Sequence, residues 1–175
     1  MTLRLALALA LVAACSSASK PSTQSPSETA IEPAPVATLE AGRIVLSEPI
    51  GFEPGDSKLA ASSEGVLGAL ADLLRDRADL TMVRIESHIG SEGDPDGAQE
   101  LSQDQAASIA HWLVGHGIDC ARLIAVGFGA SKPVSADEPA QNTRIELVPA
   151  ALRGTPIGGM PVDGGGQVSG DDLCR

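Results

Sequence analysis

The sequence predicts an α+β domain in the order β-α-β-α-β-β, with two helices packed on one face of a mixed four-stranded sheet. Three observations carry this. RIVLSEPIGF, TMVRIESH, LIAVGF and NTRIELV alternate apolar and polar residues or read as short buried runs, as strands do. Two intervening segments place apolar residues at helical spacing. Hydrophobic residues make up 43% of the 175, yet Phe52, Trp112 and Phe128 are the whole aromatic set, so the core is built from Leu, Ile, Val and Ala.

The elements follow in order. Ile44, Leu46, Ile50 and Phe52 recur at even spacing and give a strand running into an irregular turn. Ser62 or Ser63 is placed to cap a helix whose stripe is Val66, Leu67, Leu70, Leu73 and Leu74. TMVRIESH sets Val83 and Ile85 on one face, and a Gly- and Asp-rich loop follows. The second helix is expected to open at LSQDQ. Ser102 at the N-cap and Gln105 reaching back from the third helical position make a capping box there. Ala106, Ile109, Ala110 and Leu113 form its stripe, and Gly115 and Gly117 stop it. LIAVGF and NTRIELV supply the last two strands.

The amino terminus has a separate job. MTLRLALALALVAAC carries one positive charge, Arg4, before a short apolar run. The run is too short to span a bilayer as a helix and fits a secretory signal over residues 1–14. Val12-Ala13-Ala14-Cys15 resembles a bacterial lipobox, which implies acylation of Cys15 as the mature amino terminus. Ser16 follows, and under the enterobacterial sorting rule a residue other than Asp there favours the outer membrane. Residues 15–40 are rich in Ser, Thr, Pro and Ala and read as a linker. About 25 residues extend to roughly 80 Å. The domain occupies 41–150, and 151–175 is a Gly-rich tail ending near Cys174.

The chain has three cysteines. Lipidation of Cys15 leaves Cys120 and Cys174 in an oxidising compartment, where a disulfide between them would pin the tail. The alternative is two unrelated thiols.

A net charge of −11 argues against nucleic acid, whose phosphates need clustered Lys and Arg, and against a polybasic grip on lipid. GFGASK is interrupted by Pro133 where a phosphate loop would need a helix. His111 and His116 are spaced poorly for a shared metal on a helix. No Ser or Cys sits in a nucleophile motif, so the chain is read as a non-enzyme with no cofactor and no metal.

Residues from about 43 to 149 resemble the OmpA-like domain of peptidoglycan-associated lipoproteins and flagellar motor stators. The marks are IGF at 50–52, ESHIGSEG, LSQDQA at 101–106, GFGASKP at 127–133 and NTRIEL at 142–147. The resemblance implies non-covalent binding of the peptidoglycan stem peptide at diaminopimelate. A carboxylate after the second strand takes the ammonium, and an Arg of the second helix takes the carboxylate by charge-assisted hydrogen bonds. In this sequence the carboxylate position holds Gly90, the Arg position holds Gln105, and a family Asn position holds Ala98. His88, Leu101, Ser102, Ala106, Asn142 and Arg144 match the family, and Thr143 replaces one Arg of the last motif. Glu92, Asp94 and Asp96 lie on the same loop and are candidates to meet an ammonium instead. For His88 the plain alternative is a hydrogen-bonded strand-end residue, and for Asn142 and Arg144 it is loop support. The expected role is a structural tether between outer membrane and peptidoglycan, lipid-anchored and facing the periplasm, with weakened stem-peptide binding. The competing role is a module that contacts an envelope protein.

Overall fold

The computed structural model describes residues 36–90, 94–159, 163–170 and 172–175. The signal peptide, Cys15, most of the linker and Glu92 lie outside the described residues.

The chain enters through a hairpin, β1 (Ala37–Glu40) and β2 (Arg43–Leu46). Its two-residue turn has positive φ at both Ala41 (48°) and Gly42 (79°), the left-handed geometry that matches strand twist. β1 falls within the stretch assigned to the linker, so the folded region begins before Arg43. A 3₁₀ turn over Ala61–Ser63 leads into α1 (Glu64–Asp76). Ser63 does not cap this helix with its side chain. Its hydroxyl accepts from Gly51 N at 2.8 Å and donates to Gly51 O at 2.9 Å, tying the preceding loop down.

β3 (Leu80–His88) then enters the sheet. α2 runs from Pro95 to Gly115, starting two turns before the expected capping box. Asp94 is the cap, its carboxylate accepting from the N–H groups of Asp96 and Gly97, and Pro95 follows at the helix start, where its missing N–H costs nothing. β4 (Leu123–Gly129) and β5 (Arg144–Leu152) complete the expected set. β6 (Thr155–Pro156) and β7 (Gln167–Val168) come from the tail.

Among the described residues the sheet order is β1-β2-β5-β3-β4-β7, with β6 also pairing β5. The four expected strands lie in the order β2-β5-β3-β4. β3 and β4 are parallel and the other pairs antiparallel, so the sheet is mixed. β2 meets β5 in register only at Ile44 and Leu147. Beyond that pair the two strands diverge and a groove opens between them.

Both helices cover one face. Val66, Leu67, Leu70 and Leu74 of α1 and Ala106, Ile109, Ala110 and Leu113 of α2 pack with Val83 and Ile85 of β3, Ala125 of β4 and Leu147 of β5. Fully burying each large aliphatic side chain contributes about 1.5–3 kcal/mol. The other face is also closed. Arg84, Glu86, His88, Val126 and Phe128 are all buried there. The tail returns over it: Gly159 O accepts from Arg84 Nη1 at 2.9 Å, and β7 pairs the outer edge of β4. Cys120 and Cys174 are joined, with Cα atoms 5.3 Å apart, which fastens the tail to the start of β4.

Candidate functional site

Two cavities lie where the family positions converge. The larger, about 700 Å³, is lined by Arg43–Gly55, Gln105 and Thr143–Leu147. The smaller, about 260 Å³, is lined by residues including Ile89, Gly90, Lys132, Pro139 and Asn142. Gln105 belongs to the first and Gly90 to the second, so the two substituted charge positions open into different spaces. Thr143 stands at the border. It lines the larger cavity, and its Oγ1 accepts from Gly90 N at 2.9 Å.

Gly90 has no room for a side chain as the backbone stands. A Cβ there would sit 2.3 Å from Pro139 O and 3.2 Å from both Asn142 Cβ and Thr143 Oγ1. Gln105 is buried and bonded at both ends of its amide. Its Oε1 accepts from Ser87 Oγ at 3.0 Å and its Nε2 donates to Asp56 O at 3.2 Å. It is therefore a brace between α2, β3 and the 53–58 loop, not a capping residue. Ser102 is fully buried inside α2, so it is not an N-cap either. Its hydroxyl accepts from Gly129 N at 2.9 Å and donates to Gln99 O at 2.8 Å, pinning the helix to the end of β4. The approach is close enough that a Cβ on Gly127 would fall 2.5 Å from Gln103 N. Ala98 sits in the first turn of α2 and offers no polar group.

Asn142 and Arg144 support loops. Asn142 Oδ1 accepts from Val134 N and Ser135 N at 2.8 and 3.0 Å, and its Nδ2 donates to Ser135 O at 2.8 Å. Arg144 Nε donates to Glu146 Oε1 at 2.6 Å, and its Nη1 donates to Asn142 O at 3.2 Å. Of the loop acids proposed to meet an ammonium, Asp94 is occupied with capping and Asp96 is exposed in the first turn.

His88 departs from the hydrogen-bonded reading. It is buried, its ring stacks on Phe128 with centroids 4.8 Å apart, and neither ring nitrogen has a hydrogen-bond partner among the described residues. It stands beside Glu86 on one face of β3. Burial pushes the Glu86 carboxyl up, but His88, Arg84 and Lys132 together outweigh it and hold it below the usual range. At 3.7 Å the His88 contact exceeds hydrogen-bond length, so the Arg84 guanidinium on Oε1 is the firm anchor. Glu146 behaves alike. Burial raises its carboxyl, and Arg144, followed by His88 and Arg43, brings it below its ordinary value.

Sequence reasoning missed Arg43, Glu86, Lys132 and Glu146. For Glu86 the signal was the run Arg84, Glu86, His88 on one strand face, three polar residues that belong together whether the face is wet or covered; Arg43, Lys132 and Glu146 carried none.

The OmpA family profile matches residues 51–146. Probable lipoprotein YiaD of Escherichia coli (strain K12) is 28% identical over 121 residues, which cover 66% of this chain and 55% of that protein. The chain thus spans about half the length of this curated relative. A MotB-like protein from Desulfovibrio vulgaris shares 28% identity, with a TM-score of 0.54 over 66% of this chain and 77% of that one. The cell wall anchor of the T6SS from Pseudomonas aeruginosa shares the fold at 23% identity, with a TM-score of 0.52 over 67% and 88%.

Proposed function

From the membership of this chain in the OmpA family, whose profile covers more than half of it, we propose an envelope lipoprotein whose folded domain faces the wall with weakened grip on the stem peptide. Its role is structural rather than catalytic: a lipid-anchored tether or spacer between outer membrane and peptidoglycan, on the periplasmic side. The lipobox, the name of the relative YiaD and the wall-anchor neighbour support this reading. The observation that carries the weakened grip is the pair Gly90 and Gln105. One position has no space for a carboxylate, and the other spends its amide on internal bonds. Two missing charge-assisted contacts at roughly 1.5–3 kcal/mol each lower the binding free energy by about 3–6 kcal/mol. That moves micromolar binding to roughly 0.2–25 mM.

Co-sedimentation with purified sacculi, together with calorimetric titration of a diaminopimelate-containing peptide, tests it. Weak, saturable binding is expected; micromolar binding would show that other residues read the ligand. A second reading, an interaction module for another envelope protein, is favoured by one observation. The larger groove stays open although its family polar positions are committed elsewhere. Complete absence of sacculus binding would put that reading first. Mass spectrometry of the native protein should show acylated Cys15; an unmodified amino terminus within the linker would refute the anchor.

A further inference from the structure

His88 is 1% exposed, and neither of its ring nitrogens finds a hydrogen-bond partner among the described residues. Leaving buried polar atoms unpaired is costly, so their surroundings show what would satisfy them. The stack on Phe128 fixes the ring plane, and Nε2 stands 3.7 Å from Glu86 Oε2. Register adds a third group. Glu86 and His88 share one face of β3, and Glu146 is paired with Glu86 across to β5. One donor atom from each of the three lies within 4.8 Å of the others. Bonds of about 2.0–2.1 Å at tetrahedral angles hold two ligands of one ion about 3.3 Å apart, so the three donor atoms draw together by up to about 1.5 Å to share an ion, with a fourth position left open.

We propose that Glu86, His88 and Glu146 form a site for a divalent first-row cation of the zinc type. One imidazole with two carboxylates is a donor set of that class. The outer oxygens are already oriented: Arg84 holds Glu86 Oε1, and Arg144 holds Glu146 Oε1 at 2.6 Å. Hydrogen-bonded outer partners of this kind fix ligating carboxylates. Four cations face the cluster, Arg84, Arg144, Arg43 and Lys132. Two of them lie on the remaining oxygens, Glu86 Oε2 and Glu146 Oε2. Lys132 Nζ is 3.8 Å from Glu86 Oε2 with its side chain 48% exposed, and Arg43 Nη2 is 2.8 Å from Glu146 Oε2 with its side chain 69% exposed. The Arg43 pair is largely exposed and weak; Lys132 reaches a buried carboxylate and also lies over the Phe128 ring at 4.7 Å, but its exposed side chain can still swing into water. The metal ion and these two surface cations therefore compete for the same carboxylate oxygens.

Competition gives the test a signature that packing alone would not produce. The full chain, purified with its disulfide intact, is titrated with Zn²⁺ by calorimetry and with Co²⁺ by visible absorption. The wild type should bind one equivalent. Lys132→Ala should tighten binding by about fivefold or more, the weight of one unit charge some 4 Å away in water being the lower bound beside the buried Glu86 carboxylate. Arg43→Ala should act in the same direction. Glu146→Gln should weaken binding about tenfold or more, and His88→Gln should abolish the Co²⁺ spectrum. Far-UV circular dichroism checks each fold. If His88→Gln does not fold, Glu146→Gln and Lys132→Ala decide. No binding by the wild type overturns the proposal. So does binding that ignores these changes and disappears only when His111 and His116 are replaced, which would place the ion on the surface of α2.

Discussion

Putting an Asp at position 90 restores the family's carboxylate on paper, but the local geometry predicts a less stable protein. The new Cβ would begin 2.3 Å from Pro139 O, a backbone atom of the 3₁₀ turn Pro139–Asn142. That turn cannot drift freely, because Asn142 makes hydrogen bonds to Val134 N, Ser135 N and Ser135 O. Overpacking of this kind costs about 1–3 kcal/mol. Moving the turn also strains the bond from Gly90 N to Thr143 Oγ1, worth about 1 kcal/mol. Gly90→Asp should therefore destabilise by about 2–4 kcal/mol. Urea unfolding followed by circular dichroism should show the midpoint fall by roughly 1–2 M at an unchanged slope. The same variant should not gain stem-peptide affinity by itself. Combined with Gln105→Arg it should gain, with coupling between the two changes, only if the 139–143 segment yields. A stability change below about 0.5 kcal/mol would refute the steric argument. The turn would then give way easily, and absent charges alone would account for weak binding.

Three further outcomes are expected. Cys120→Ser should destabilise by about 4 kcal/mol in the chain-entropy model for a bridge with sequence separation 54, read as a lowered urea midpoint that added reductant does not lower further. Ser102→Ala leaves Gly129 N without its buried acceptor and should cost about 1–3 kcal/mol, measured by thermal melting; an unchanged melting temperature would mean that α2 is not pinned there. Acid should act through Glu86 and Glu146, whose folded carboxyls titrate below their ordinary value of about 4.3. Their stabilisation is complete above that value and is lost as the pH falls through the lower folded values. The denaturation midpoint should stay level from about pH 7 to 5 and drop below about 4, and Glu146→Gln should flatten the drop.

The features of the fold legible in the sequence were those set by local periodicity. The α1 stripe and the inward pair Val83 and Ile85 follow from spacing alone, and both reappear in the core. The start of α2 was misplaced because GDPDG reads as loop, although Asp94 followed by Pro95 carries the start signal of a cap and a first helical proline. That shift turned Ser102 and Gln105 from terminal groups into buried ones, and their expected chemistry changed with it. β1 was hidden by brevity: four residues at the end of a Ser- and Pro-rich stretch show too little alternation to stand out. The alternation of Arg84, Glu86 and His88 on one strand face is visible in the sequence, but the burial of that row is not. Its burial depends on a distant Gly-rich tail crossing the face, a tertiary event with no local period.

The amino-terminal hairpin has a mechanical consequence. The chain enters at Val36, which exchanges two bonds with Ser47, and β1 pairs β2 at Ala37–Leu46, Thr38–Val45, Leu39–Ile44 and Glu40–Arg43. A pull on residue 36 away from the sheet loads the two Val36–Ser47 bonds first, the Ala37–Leu46 rung next, and the turn at Ala41 and Gly42 last. The rungs therefore break in succession, by peeling rather than by shear. Among the described residues β1 is the edge strand, so no further strand shares the load, and Leu39 packed against the core is its remaining hold. Peeling all of β1 would lengthen the lead by several residues while α1, α2 and the β3–β4–β5 centre stay packed. Under single-molecule extension the hairpin should yield as a low-force sequence of small steps ahead of the main rupture, lengthening the lead before the core gives way.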